Sequence, residues 1–179
     1  MIKGLYWFAE KWSEKGSVWI IADTHFDDAD CKLMDPGWIS PQEHLSNIKK
    51  YVHKNDTLIH LGDVGNPKYM EEIPGYKVLI LGNHDFTATK FKPYFDEIYE
   101  GPLMISRKII LSHEPIYISW AFNIHGHNHG SVIEGDVYHL NLASNVCNYT
   151  PVSLGALIKS GRFADIKNIH RITIDRAGE

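Results

Sequence analysis

Val18-Trp19-Ile20-Ile21-Ala22, followed at once by Asp23-Thr24-His25, is the stretch on which the fold turns. An apolar, β-rich run that stops at two metal-ligand side chains reads as a buried strand with a polar carboxyl end. The pattern recurs. Thr57 to Leu61 runs into Gly62-Asp63-Val64-Gly65, Lys77 to Leu81 into Gly82-Asn83-His84-Asp85, and Lys108 to Leu111 into Ser112-His113. A further cluster, Gly126-His127-Asn128-His129, follows Asn123 to His125, which is expected to end another strand. Between the first two strands, Ser40-Pro41-Gln42-Glu43 combines a capping box with proline at the first helical position, and Leu45, Ile48 and Val52 share one face. Strand, helix, strand is a βαβ unit. In open α/β sheets ligands bind outside the carboxyl ends of the strands, so clusters far apart in sequence are expected to converge there.

The second half has a different rhythm. Leu103 to Ser106 and Arg107 to Leu111 read as a tight strand pair, Val132 and Ile133 precede a Gly135-Asp136 turn, and Val137 to Leu142 reads as a strand. Ser153 to Ser160, closed by Gly161, reads as a short helix. Late strands without long crossover helices suggest a partly antiparallel second sheet. The expected class is therefore α/β, a four-layer α/β/β/α sandwich of two mixed sheets with flanking helices. Leu5, Phe8, Ala9 and Trp12 lie at helical spacing and are expected to lay Phe8 and Trp12 on the main body, with a dimer or substrate surface as the alternative.

The 179 residues fit one domain, 1–179, without a disulfide framework. Cys31 and Cys147 form no CxxC pair, which points to reduced thiols and a cytoplasmic protein. Leu5 to Ala9 is too short for a membrane span, and the charges at Glu10, Lys11, Glu14 and Lys15 exclude a signal-peptide cleavage region. A net charge of -4 argues against stable nucleic-acid binding but not against a nucleotide substrate, because bound metals reverse the local sign.

The clusters supply Asp, Asn and His but no Cys. That donor set suits a hydrolytic site with two divalent metals rather than a structural zinc site. With its blocks in this order (DxH, GD, GNHD, a lone His, GHxH), the chain resembles the calcineurin-like metallophosphoesterases. The likeness is greatest to the small bacterial and phage-type members, and it covers Val18 to Leu157. The resemblance implies that Asp23, His25 and His129 hold one metal, that Asn83, His113 and His127 hold the other, and that Asp63 bridges them. Such a pair acidifies a shared water and clamps phosphate oxygens. It further implies His84 as general acid, with Asp85 accepting a hydrogen bond from the other imidazole nitrogen. Gly82 and Gly126 are expected to let the backbone turn sharply. Manganese is the leading metal, with iron, zinc and magnesium suited to the same ligands.

Two positions depart from the family pattern: Asp28 stands where many small members carry a second histidine, and Asn66 where an acid is common. The implied reaction is hydrolysis of a small nucleotide or other phosphate ester, a diester in preference to a monoester. A nuclease is the alternative among enzymes, disfavoured by the acidic balance. A non-catalytic scaffold is the alternative outside them, disfavoured because His84 and every ligand position are intact. Other polar residues are expected to be ordinary: His60 and His125 in the core or supporting the site, and His44, His53, His139 and His170 in surface or packing roles. Asp27, Asp28, Asp30 and Asp35 read as a solvated loop, with a contact to metal-bound water as the alternative. Of Tyr117, Trp120 and Phe122, at least two are expected in the core, and stacking on a nucleobase is the alternative. Lys90, Lys92, Arg107 and Lys108 read as ordinary charged surface.

Overall fold

The computed structural model describes residues 1–130 and 137–166. The Val132, Ile133 and Gly135-Asp136 readings, and His170, lie outside these residues. In chain order the elements are α1 (Trp7–Glu10), a 3₁₀ turn (Lys11–Ser13), β1 (Val18–Ile21), α2 (Cys31–Met34), α3 (Pro41–Lys49) and β2 (Thr57–His60). A second 3₁₀ segment (Pro67–Glu72), β3 (Tyr76–Ile80), α4 (Ala88–Phe91), β4 (Glu97–Tyr99) and β5 (Leu103–Met104) follow. The chain then forms β6 (Ile109–Leu111), β7 (Phe122–His125), β8 (His139–Asn141), β9 (Val152–Ser153) and α5 (Leu154–Lys159).

Two mixed sheets result. The first has the order β4-β3-β2-β1-β9, parallel except for β9, and the second β5-β6-β7-β8, with only β5 antiparallel. The parallel β6-to-β7 crossover is a loop, residues 112–121, so antiparallel pairing in the second sheet is confined to one edge. Strand alternation divides the interior. Val18, Ile20, Ile59, Leu61, Val78 and Ile80 face Ile109, Leu111, Phe122 and Ile124 of the second sheet. Ile21, Leu58 and Leu79 point the other way, onto Leu45 and Ile48 of α3 and onto Phe91 and Phe95. A one-residue slip would exchange the two sets, and each fully buried Ile, Leu or Phe contributes about 1.5–3 kcal/mol, so the register is strongly held.

Local signals account for the helices. Ser40 Oγ accepts from Glu43 N (3.2 Å) with Pro41 at the first position of α3, and Ser153 Oγ accepts from Ala156 N (3.2 Å) to start α5. The N-terminal segment packs as expected: Leu5, Ala9 and Trp12 are buried, and Trp12 Nε1 donates to Glu97 Oε1 (2.8 Å). The outer face of the second sheet is polar. Asn123 Oδ1 accepts from Ile116 N (2.8 Å) and His139 Nε2 lies 3.0 Å from the Ile116 carbonyl, so the 114–120 loop covers it. Of the three aromatics near that loop only Phe122 is buried; Trp120 is half-buried and Tyr117 exposed, so the expectation of two in the core fails. Both cysteines are free thiols. Among the described residues no helix is long and apolar enough to cross a membrane.

Candidate metal centre

The carboxyl ends of β1, β2, β3, β6 and β7 meet at one rim of the sandwich, and they bring Asp23, His25, Asp63, Asn83, His113, His127 and His129 together. The turns after β1 and β2 are sewn to each other: Asp23 N donates to Gly62 O (2.9 Å), and His25 N to Asp63 O (3.0 Å). Four of the seven residues sit in the left-handed region, Asp23 at φ 56°, His25 at 42°, Asp63 at 57° and His127 at 69°. Non-glycine residues pay a conformational cost there, and such residues gather where a side chain must be aimed.

The two carboxylates are used alike. Asp63 Oδ1 accepts from His84 N (2.9 Å), while Oδ2 lies 3.3 Å from His113 Nε2 and 3.7 Å from His25 Nε2. Asp23 Oδ2 accepts from His127 N (2.8 Å), while Oδ1, buried and without a hydrogen-bond partner, lies 3.6 Å from His129 Nε2. Each acid thus commits one oxygen to the backbone and turns the other to the imidazoles. Asn83 Oδ1 lies 2.7 Å from His113 Nε2 and 3.1 Å from His127 Nδ1, and those two nitrogens are 3.2 Å apart.

This atom set fits cations. His25 Nε2 and Asp23 Oδ1 are buried polar atoms that meet no donor or acceptor, an arrangement that is costly unless something electropositive sits between them. Among the described residues two groups are close enough to share an ion, Asp23 with His25 and His129, and Asp23 with Asp63 and His113. Electrostatics point the same way. Burial lifts the Asp23 carboxyl to about 7. His113 is lifted to about 9, because the bond to Asp63 and the charge of Asp23 outweigh burial, and Asp63 is lowered to about 2, mainly by His113 against its own burial. In the metal-free protein a proton on His113 supplies the positive charge this carboxylate pair demands.

Supporting contacts aim the ligand atoms. His25 Nδ1 lies 3.1 Å from Asp28 Oδ2, so the acid read as part of a solvated loop orients an imidazole and leaves Nε2 for the centre. His113 Nδ1 is 2.9 Å from Leu61 O, which frees Nε2 in the same way. His60, fully buried and neutral, accepts from Gly62 N at Nδ1 (3.2 Å) and faces Thr24 Oγ1 at Nε2 (3.0 Å), and Thr24 in turn donates to Val64 O. His60 therefore supports the site from the core, as read from its place inside β2.

Two expectations need correction. Asp85 does not take a bond from His84; its carboxylate accepts from the backbone N–H groups of Asp63 (2.8 Å), Val64 (3.1 Å) and Gly82 (2.9 Å), pinning the β2 turn to the β3 turn. Gly82 and Gly126 are not at left-handed turns. A Cβ on Gly82 would strike Asp63 Oδ1 and one on Gly126 would strike Asp23 Oδ2, so these glycines exist because carboxylates press against their Cα atoms. Sequence reading also missed Trp38, whose ring packs on His25 and His129 at 5.8 and 5.5 Å, and Asn145, which donates to His129 O (2.6 Å). Neither has a local sequence signal. Asn66 donates to Asp27 and has no part in the centre.

Two mixed β-sheets with flanking helices, carrying a carboxylate and imidazole cluster at their strand ends, define an α/β protein of the metallohydrolase type. The family model "Calcineurin-like phosphoesterase" matches residues 16–146, and the chain belongs to that family. Metal-dependent phosphoester hydrolysis is the activity class that membership carries. The chain is similar to the uncharacterized protein MJ1445 of Methanocaldococcus jannaschii, 28% identical over 166 residues, covering 79% of this chain and 89% of that protein. Among solved structures it is similar to a protein of unknown function, AQ665, from Aquifex aeolicus (TM-score 0.69, 26% identity, 80% of this chain and 98% of that one). A weaker likeness is to the nuclease MPE of Pseudomonas putida (TM-score 0.45, 21% identity, 62% of this chain and 60% of that one).

Proposed function

We propose that the protein is a phosphodiesterase for a small nucleotide or similar phosphate ester, using two divalent cations. Asp23, His25 and His129 would hold one, Asn83, His113 and His127 the other, with Asp63 shared. The observation that carries this reading is the position of Asp63 Oδ2, within 3.7 Å of a nitrogen from each set, next to the unpartnered Asp23 Oδ1 and His25 Nε2. When bound, the cations supply neutralisation of phosphate charge and an acidified water near neutral pH. The remaining steps belong to the chain. His84 stands exposed at the lip, anchored by its backbone bond to Asp63, with its ring 5.7 Å from His25; it protonates the leaving oxygen. Asp85 fixes that loop by holding three backbone amides, and so acts through position rather than as a proton carrier.

Among the described residues no cationic side chain other than these imidazoles belongs to the cluster, so the second charge of a monoester has no added partner there and diesters are favoured. Manganese suits the nitrogen and oxygen donors, as do iron, zinc and magnesium. The unpaired thiols agree with a cytoplasmic setting. The test is a panel of bis-aryl diesters, aryl monoesters, cyclic nucleotides and dinucleotides on metal-stripped protein, each metal being restored separately. We expect activity only with metal and a higher kcat/KM for diesters; a monoester preference across several leaving groups would overturn the diesterase reading.

A further inference from the structure

Phe86 follows directly on the GNHD block and, at 88%, is the most exposed large apolar side chain among the described residues. A lone exposed phenylalanine needs no explanation by itself. This one is also strained. Its φ is 22°, in a region that a bulky side chain rarely enters, and Thr87 N donates back to Asp85 O, so Phe86 is the apex of a three-residue turn. The turn is fixed on its inner side, where the Asp85 carboxylate holds the amides of Asp63, Val64 and Gly82. Glycine would take this apex without strain, and a ring left in water adds no burial, so folding does not account for phenylalanine here. Strain of this kind gathers at working sites.

The ring borders a path that leads from the centre. One cavity, of about 300 Å³, is lined by Asn83 and His113 together with Leu81, Gly82 and Glu100. A second, of about 1010 Å³ and open to solvent, shares Leu81, Gly82 and Glu100 with the first and continues to Phe86, Thr87 and Lys92. The shared residues lie just past the ends of β3 and β4 and make one groove of the two. Asn83 and Phe86 are three positions apart, so their Cα atoms lie within about 11 Å of each other. One nucleotide, phosphate at one end and base at the other, spans such a gap.

We infer that this groove takes the nucleoside of the ester, with its phosphate at Asn83 and His113, its sugar beside Glu100 and its base stacked on Phe86. The wall is polar, with the Glu100 carboxylate, the Thr87 hydroxyl and the Lys92 amine, and an aliphatic group would leave it unmatched. A sugar suits it, since a carboxylate is the common partner of ribose hydroxyls in nucleotide sites. A flat base needs only one apolar face, and Phe86 supplies it. Stacking is tolerant of base identity because every base has a π-face, so Phe86 selects nucleosides over aliphatic groups rather than one base over another. The link to turnover rests on the phosphodiesterase reading; nucleoside binding does not.

The experiment is equilibrium dialysis of adenosine, guanosine, cytidine and uridine, which carry no phosphate, against the full-length protein, metal-stripped and manganese-loaded. Adenosine and guanosine, with the larger faces, should bind both forms. Phe86→Gly removes ring and strain together, so it should weaken that binding by about tenfold or more while Tm holds or rises. Phe86→Trp should keep the affinity, and Phe86→Leu, apolar but not aromatic, should not. The ratio of kcat/KM for a nucleoside 4-nitrophenyl phosphate to that for methyl 4-nitrophenyl phosphate should fall about tenfold in Phe86→Gly and Phe86→Leu and persist in Phe86→Trp. If no nucleoside binds, or if affinity and ratio ignore Phe86→Gly while methyl 4-nitrophenyl phosphate is hydrolysed, the platform is overturned and the phosphodiesterase reading stands. Leucine serving as well as tryptophan, or Tm falling together with affinity in Phe86→Gly, would assign the ring to packing and overturn it too. So would a dimer that Phe86→Gly dissociates without a change in affinity, since the ring would then belong to a contact between copies. Nucleoside binding that depends on an aromatic ring at 86, with no ester cleaved under any metal, supports the platform and overturns the reaction.

Discussion

The two sheets contribute unlike halves of one rim. The first supplies both carboxylates, the amide of Asn83 and His25, on turns that are strained, glycine-lined and bonded to each other. The second supplies only imidazoles, His113, His127 and His129, with His113 held from behind by the Leu61 carbonyl and His129 by the amide of Asn145. The first half therefore carries the negative charge that a cation needs, and the second half carries imidazoles, of which His113 gives up its proton to receive one. Breaking the first half should cost more.

The largest effect is expected at Asp63. Asp63→Asn keeps a side-chain oxygen for His84 N but removes the charge shared by both donor sets. Turnover should be lost almost entirely and metal content should fall below two per chain by elemental analysis. Two full metals with near-normal turnover would sink the sharing of Asp63. His127→Ala, on the other half, should be less damaging, because Asn83 and His113 still converge without it.

His84→Asn should leave both metals in place and lower kcat by about 10²–10⁴ on an ester with an alkoxide leaving group, the usual worth of a positioned proton donor. A nitrophenolate leaves without a proton, so the loss there should be far smaller. Equal losses on both substrates, or a missing metal, would mean that His84 binds phosphate or supports the centre instead.

How much of this was legible depends on whether the signal was local. The strands and the candidate clusters are contiguous, an apolar run meeting an Asp, Asn or His, so the convergence of these residues on one rim was legible, and their role as ligands remains part of the proposal. What failed was pairing across turns. The role of Asp85 depends on the β2 turn folding back against the β3 turn, and the need for Gly82 on an aspartate nineteen positions earlier. Asp28 looked like surface because its contact with His25 Nδ1 becomes visible only when the loop closes. Trp38 and Asn145 reach the centre from elements that carry no motif.

The orienting contacts give the next test of the comparison. Asp28→Ala removes a carboxylate from a first-sheet imidazole and should weaken metal affinity by about 10–100-fold, the usual effect of losing such a partner. Asn145→Ala removes a neutral amide that meets both the backbone carbonyl and the imidazole of His129, and without a charge at stake it should weaken it less. Calorimetric titration of manganese into stripped protein compares them, and the reverse order would contradict the assignment of the two halves.

The smallest effect concerns stability without metal. His113 is lifted from 6.5 to about 9 in the folded protein, so the folded state holds a proton that the unfolded chain has lost between those values. That contribution is complete below the unfolded value and disappears as pH rises through about 9. Asp23, lifted from 3.8 to about 7, acts in the same sense at lower pH, but there the buried neutral histidines His44 and His60, lowered to about 3, oppose it, because the unfolded chain takes up their protons. The clean window is therefore pH 7 to 9, where His113 dominates and the metal-free protein should lose Tm steadily as the proton leaves the Asp23–His113–Asp63 cluster. A cation in the centre replaces that proton and requires His113 neutral, so the manganese-loaded protein should keep its Tm or gain across the same window. Parallel pH profiles for the stripped and loaded forms would show that the charge at the junction of the two halves is not exchanged between proton and metal.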